Sequence, residues 1–236
     1  MTFTPSPLLP LVAFLIILLG VLALLLLGVY SAYAPDLGRA GAARRTAGVA
    51  LGASLWLTLL SLVVGSGALS AAPMPGIPLF FVAANCAGLL FALSPLGARL
   101  AVGLPLAALV AFQGFRLPLE LVLHAWAASG TIPRTMTWDG QNLDIVSGVV
   151  SLAVAPFVAR RPALAWLANL VGAALLVNVA RVALLSSPVP FGWSVQPKLL
   201  LAAHLPYALI APVCVAGALA GHVILTRRLL RASVSP

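Results

Sequence analysis

About seven apolar runs of membrane-spanning length are the feature that most restricts the fold of this 236-residue chain. A helix that crosses a bilayer needs about 20 largely apolar residues, and breaks at proline, glycine and arginine divide the chain into runs of about that size. We therefore predict an all-α, polytopic integral membrane helix bundle. It forms a single transmembrane domain, residues 1–236, with spans at about 8–30, 47–70, 77–96, 100–128, 142–159, 163–186 and 199–225.

The composition excludes a soluble globule. Hydrophobic residues make up 62% of the chain and charged residues 7%, which leaves too little polar surface. The net charge of +9 would suggest a nucleic-acid partner in a soluble protein, but here the basic residues lie in short clusters between apolar runs. We therefore predict membrane lipids as partners and no nucleic acid. Cys86 and Cys214 have no C-x-x-C spacing, so neither a disulfide framework nor a zinc site is expected.

The basic residues predict the orientation of the chain. If the runs alternate across the bilayer, Arg134 and Lys198 lie on one side, and the other side carries Arg39, Arg44, Arg45, Arg99, Arg160, Arg161, Arg227, Arg228 and Arg231. The arginine-rich side is expected to be cytoplasmic. The N-terminus is then outside, the C-terminus is inside, and segments 129–142 and 186–198 are outer loops.

The run "GFRLPLELVLH" places three ionisable residues, Arg116, Glu120 and His124, four residues apart on one face of the fourth span. A charge at the bilayer centre costs between about 3 and more than 10 kcal/mol, so such residues are candidates for a functional site with a nearby partner. The alternative is an Arg116–Glu120 ion pair that only holds helices together. Pro118 lacks an N–H and predicts a disturbed helix at this point.

Further candidates come from later spans. Asn142 and Asp144 lie at the start of the fifth span, Arg181 lies on the sixth and His204 on the seventh. The predicted topology places all of them in the outer half of the membrane, where an arginine could bind an anion or a carboxylate such as Asp144. Arg181 could instead extend to the outer headgroups. His222, near the inner arginines, is expected at the surface.

Metal and hydrolase chemistry are weakly indicated. Glu120, His124, His204 and Asp144 supply nitrogen and oxygen donors, but Glu-x-x-x-His is a weak zinc signal and Arg116 nearby opposes a cation. We predict no metal site and no cofactor. The run "VSGVVSL", which contains two serines, is not a nucleophile-elbow pattern, so no catalytic residue is assigned.

Two resemblances add to these observations. "FQGFRLPLELVLH" followed by "GTIPRTMTWDGQNLDIVSG" resembles the signature of an uncharacterised family of bacterial multi-pass membrane proteins, with the pattern FR-x-x-x-E, G-x-I-P and M-T-x-x-G-x-N-x-D-I. This resemblance implies a bacterial cytoplasmic (inner) membrane protein without an assigned activity. Its distinctive polar positions are Arg116, Glu120, Asn142 and Asp144.

The second resemblance is to exosortases and archaeosortases, which are membrane transpeptidase-like enzymes. "VSGVVSLAVAPFVARR" followed by "LLVNVARVALL" is similar to their C-S-G-L-x-S-L and N-x-x-R-I motifs. The resemblance implies an active site near the outer face, in which Arg181 matches the arginine and His204 is a candidate for the histidine. Val146 stands in the place of the nucleophilic cysteine, which puts cysteine chemistry in doubt.

Three classes of function remain open. The preferred one is a polar, outward-facing cavity that binds a small anionic ligand or lipid headgroup through residues Arg116, Glu120, His124, Asn142, Asp144, Arg181 and His204. The second is an outer-leaflet intramembrane enzyme related to exosortases. The third is a structural or assembly subunit whose apolar faces bind another membrane protein.

Overall fold

The computed structural model describes residues 2–71 and 73–232, so Met1, Ala72 and residues 233–236 of the predicted domain lie outside it. The described residues are helical and contain no strand, which confirms the all-α fold. The α-helices are α1 Leu8–Gly65, α2 Ala68–Ala71, α3 Pro73–Leu93, α4 Pro95–Gly103, α5 Leu106–Ala111, α6 Arg116–Ala128, α7 Ile145–Val154, α8 Ala163–Ser186 and α9 Ala216–Ala232. A 3₁₀ turn, Phe112–Phe115, joins α5 to α6.

Five helical stretches are long and apolar enough to cross a membrane. They are Leu8–Gly65, Met74–Leu93, Leu106–Ala128, Ala163–Ser186 and Tyr207–Arg231. Large apolar side chains cover much of the outer surface, including Leu9, Leu90 and Val177. A surface of this kind faces lipid more favourably than water, which indicates an integral membrane protein. The number of crossings and their orientation stay predictions.

The first helical element is a hairpin of two helices rather than one rod. Gly38 has φ 65° and ψ 176°, a backbone conformation that a side chain would strain, and Pro35 lies three residues before it. On a straight helix, Leu22 and Leu57 would be about 52 Å apart. In the structure they line one cavity, which is different from the cavity of the candidate site described below. The chain therefore folds back at Gly38, between the first two predicted spans.

Contacts between arginines and neighbouring segments bring several of the predicted cytoplasmic arginines to one end of the bundle. Arg99 pairs with Asp36 at 2.5 Å and donates to the carbonyl of Ala32. Arg227 donates to the carbonyl of Ser94 at 3.1 Å, just after α3. We call this the arginine-rich end; α8 begins near it and ends, at Ser186, on the opposite side of the bundle.

The core at the opposite end is aromatic. Trp126 on α6 is fully buried between Phe14 and Tyr207, with ring centroids 5.0 and 5.1 Å away. Edge-on arrangements at these distances favour the aromatic quadrupoles. This cluster fixes α6 against the N-terminal helix and the start of the last helical stretch.

The segment after α6 differs from the predicted outer loop. It descends into the bundle along α8: Thr135 bonds to Ser186 at 2.7 Å, and the carbonyl of Gln141 accepts from Asn178 at 2.8 Å. Ser186 and Asn178 are about 12 Å apart along the helix. We call residues 129–144 the re-entrant segment. Much of this segment is buried among the helices.

The predicted boundaries of the fifth and seventh spans are also corrected. After the re-entrant segment, α7 and the 3₁₀ turn that follows it reach only from Ile145 to Phe157, which is too short to cross alone. The predicted span 199–225 begins with irregular turns and a π-helix, Ile210–Val215, before α9 carries it to Ala232. Pro206 and Pro212 lack the N–H that a regular helix requires at these positions.

Glycines allow α7 to pack closely on α6, and this contact can be tested. A Cβ atom at Gly148 would lie 2.5 Å from the backbone nitrogen of Leu117. Gly148→Ala is therefore expected to lower the free energy of unfolding by about 1–3 kcal/mol through overpacking. Gly52→Ala is the matched control, because nothing lies within 4 Å of its added carbon and alanine favours the helix. Equal melting temperatures for the two variants in detergent would contradict this packing.

Candidate ligand-binding site

The centre of the site is a buried ion pair between α6 and the end of the re-entrant segment. Arg116 and Asp144 are 1% and 5% exposed. The Arg116 Nε donates to Asp144 Oδ2 at 2.6 Å, and its Nη2 donates to Oδ1. This bidentate geometry is the strongest form of a guanidinium–carboxylate contact. The expected alternative, an Arg116–Glu120 pair, is wrong, since no ion pair joins these two residues in the described chain.

Arg116 also connects to α8 and α9. Its Nη1 donates to the carbonyl of Gly172 and to His222 Nε2, each at 3.0 Å. A Cβ at Gly172 would lie 2.5 Å from the His222 ring, so only glycine leaves room for this arrangement. The charge of Arg116 is therefore compensated within the protein. Gly172 lies about 14 Å along α8 from its first residue, so the ion pair sits deep in the bundle and not near the end of α8 at Ser186.

His222 is buried and not at the surface as expected, being 4% exposed. Its ring has a defined hydrogen-bonding state. Thr226 donates its hydroxyl to the His222 carbonyl and accepts from the Asn169 amide, which leaves Asn169 Oδ1 to accept from His222 Nδ1 at 2.9 Å. Since a guanidinium can only donate, His222 Nε2 must accept from Arg116. The imidazole is thus neutral, with its proton on Nδ1.

Sequence reasoning missed this part of the site because His222 lies close to the cytoplasmic arginines along the chain. The available signal was its spacing: His222 and Thr226 are four residues apart on one helical face. Asn169 lies on a different helix, and its pairing with them depends on how α8 and α9 pack. No local pattern predicts such a contact.

Asn142 links the two buried carboxyl groups. Its amide donates to Glu120 Oε1 at 2.9 Å and to the carbonyl of Met136 at 3.1 Å, and its Oδ1 accepts from the Asp144 N–H. Glu120 is 1% exposed, and its Oε2 has no hydrogen-bond partner in the described chain. Four predicted site residues, Arg116, Glu120, Asn142 and Asp144, are therefore one connected group with a single unused oxygen.

A cavity of about 440 Å³ opens beside this group. Its walls are mostly apolar and come from α3, α6, α8 and the π-helix; Phe81, Leu119, Leu176 and Ile210 are examples. Glu120, Arg116 and Asp144 line it, and so does Arg181. Mostly apolar walls with a few polar groups are typical of small-molecule sites of this volume.

Arg181 differs from Arg116 in its partners. It is exposed and, among the residues that the structure describes, donates only to Asn178 Oδ1 of its own helix, from Nε at 3.2 Å and from Nη2 at 2.8 Å. The guanidinium also lies over the Trp193 ring, 5.6 Å from its centroid. No carboxylate pairs with Arg181 within the described residues. It thus offers an uncompensated positive charge to the cavity.

The two other predicted histidines lie elsewhere. His124 stacks on Trp138 at 4.3 Å between centroids, and its Nδ1 is 3.7 Å from Asp139. Asp139 accepts hydrogen bonds from the Thr137 hydroxyl and, at 2.6 Å, from the Arg134 guanidinium. His124 does not line the cavity.

His204 is also outside the cavity, stacked on Phe3 with 4.0 Å between ring centroids. The histidines are therefore too dispersed to act with Glu120. Within the described part of the chain, no group of three or more potential metal ligands comes together.

The positions that match the exosortase motif do not form a nucleophile–base pair in the described residues. Val146 stands where the cysteine would be, and the hydroxyl of Ser147 donates to Asp144 Oδ1 at 3.1 Å. Cys214 lines the cavity but is deeply buried. The arrangement offers the cavity one uncompensated guanidinium and the carboxyl group of Glu120.

Replacing histidine by phenylalanine tests the role of His222. His222→Phe removes the acceptor for the Arg116 Nη1 and is expected to lower the free energy of unfolding by about 1–3 kcal/mol. His204→Phe is the matched control, because its stacking on Phe3 can persist, and we expect a small effect. Thermal unfolding in detergent provides the measurement. Equal losses for both variants would mean that the His222 hydrogen bond contributes nothing specific.

No protein-family model, curated protein or solved structure matches this chain. The two family resemblances therefore stay predictions. A proposal for function depends on the cavity, on the compensated Arg116 and on the uncompensated Arg181.

Proposed function

We propose that this protein binds an anionic amphiphile, either a lipid headgroup or a small anionic molecule with an apolar part, in the cavity between α3, α6 and α8. The observation that carries this proposal is Arg181, an arginine without a carboxylate partner on the wall of a mostly apolar cavity. A guanidinium recognises phosphate or carboxylate with paired hydrogen bonds. The apolar walls would accommodate the rest of the molecule.

The two arginines then have different roles. Arg116 uses its donors on Asp144, Gly172 and His222, so it has little capacity left for a ligand. It supports the floor of the cavity. Arg181 has only an amide of its own helix to displace, and Trp193 beneath it restricts where the guanidinium can lie. We therefore assign anion binding to Arg181, and structural support to Arg116, Asn142 and Asp144.

The setting of this site is also part of the proposal. The distribution of arginines supports an outside N-terminus and a cytoplasmic C-terminus, so Arg181 would lie toward the outer leaflet. The resemblance of residues 112–148 to a bacterial family supports a location in the cytoplasmic membrane of a bacterium. A ligand would then enter from the outer leaflet or from the water beyond it.

Single-chain amphiphiles that differ only in their polar group test this function. Wild-type protein in a neutral detergent is expected to bind dodecyl phosphate, measured by native mass spectrometry, more tightly than dodecanol. Arg181→Gln should weaken dodecyl phosphate binding by about tenfold or more, since hydrogen bonds to a charged group contribute about 1.5–3 kcal/mol. Dodecanol binding should be unchanged.

Arg160→Gln is the matched control, because Arg160 is also exposed but lies just before α8 and does not line the cavity. It removes the same charge and should leave dodecyl phosphate binding unaltered. If Arg160→Gln weakens binding as much as Arg181→Gln, the phosphate responds to net charge alone. That result, or wild-type protein that does not distinguish the two amphiphiles, would overturn the proposal.

A further inference from the structure

Glu120 lines the cavity in which an anion is proposed to bind, and one of its two carboxyl oxygens has no hydrogen-bond partner in the described chain. Oε1 accepts from the Asn142 amide at 2.9 Å, while Oε2 is buried without a hydrogen-bond partner in the described chain. Buried polar atoms are rarely left unpaired, because they lose their interaction with water. An unpaired oxygen on a side chain that lines a cavity therefore points to a partner that the occupant supplies when it binds.

The charge of Arg116, one helical turn from Glu120, is already compensated by another carboxylate. Arg116 is paired with Asp144 through two hydrogen bonds, and His222 is neutral from its hydrogen-bonding pattern. Cys214 brings no positive charge, and Arg181 is the only other cation that lines the cavity in the described residues. An ionised Glu120 would be a second carboxylate beside Arg116, and no ion pair joins it to Arg181 among the described residues. A buried charge without a partner is strongly disfavoured, and a carboxyl group avoids it by keeping its proton.

We propose that Glu120 is a protonated carboxylic acid at neutral pH, and that its Oε2–H donates a hydrogen bond to the occupant of the cavity. This inference rests on the proposed function for the identity of the occupant. The occupant would then meet two donors, the Arg181 guanidinium and the Glu120 hydroxyl, and would have to present acceptors to both. An ionised Glu120 would repel an anionic ligand.

The positions of the two donors define the ligand further. Glu120 lies one helical turn beyond Arg116 on α6, and Arg181 lies nine residues beyond Gly172, the Arg116 contact on α8. With a rise of 1.5 Å per residue, the backbone positions of the two donors are offset by about 7–8 Å along the bundle. The two long side chains shorten this gap, so one anionic group with several acceptor oxygens can contact both. The ligand class is therefore an amphiphile whose polar group has several acceptor oxygens, such as a phosphate.

The protonation state of Glu120 can be measured without any substitution, because Glu120 is the only glutamate in the chain. Cell-free synthesis with glutamate labelled with ¹³C at its carboxyl carbon would label this one carboxyl group. Solid-state NMR of the protein in phosphatidylcholine bilayers at pH 7 should show the resonance of a carboxylic acid. A resonance at the carboxylate position would overturn the inference.

Substitutions test the donated hydrogen bond with dodecyl phosphate as the probe. Glu120→Gln keeps a donor of similar shape and should bind dodecyl phosphate within about threefold of wild type, whereas Glu120→Met should bind about tenfold more weakly. If Glu120→Gln instead binds more tightly by tenfold, a repelling charge has been removed and the inference is wrong. The NMR result does not depend on a ligand. It can therefore contradict the protonation of Glu120 independently of the Arg181 proposal, which ligand binding tests.

Discussion

The paired charges of Arg116 and Asp144 are the constraint on which the rest of the interior depends. Two opposite charges attract strongly at low dielectric, but each is very unfavourable there without the other. The bidentate contact meets that condition and fixes α6 to the beginning of α7. The same guanidinium also donates hydrogen bonds to Gly172 on α8 and to His222 on α9. One arginine thus joins four helices that are distant in sequence.

This pair explains why the chain after α6 enters the bundle. Asp144 can reach Arg116 only if the re-entrant segment descends along α8, and α7 then begins within the bundle rather than at its surface. A carboxylate at the beginning of α7 also interacts favourably with the helix dipole. The discontinuity brings polar backbone and Asn142 beside Glu120. The charge of Arg116 is therefore paired with Asp144, whereas no carboxylate pairs with Arg181 in the described chain.

The sequence predicted the fold class and part of the site. The physical reasons for this success also explain which contacts could not be predicted. Apolar runs indicate burial in lipid directly, so the helices were predictable. The intramembrane cost of charge identified Arg116 and Glu120, and Asn142 and Asp144 were named for their position at the start of the fifth span. The sequence left the partner of Arg116 open between Glu120 and Asp144, because the spacing of four residues favours Glu120 while a contact with Asp144 depends on the long-range fold. The re-entrant segment has the polar composition of an outer loop. His222 was expected at the surface because its neighbours in the chain are arginines, although its neighbours in space are Asn169 and Arg116.

The central claim is best tested by a double-mutant cycle on Arg116→Gln and Asp144→Asn, measured as the free energy of unfolding in detergent. Each single change leaves one buried charge unpaired and is expected to destabilise the protein by about 3–5 kcal/mol, whereas the double variant should lose much less than the sum. A cycle on Arg116→Gln and Glu120→Gln should be closer to additive, since those two groups are not paired. Additive losses for Arg116 and Asp144, with coupling only between Arg116 and Glu120, would contradict this account.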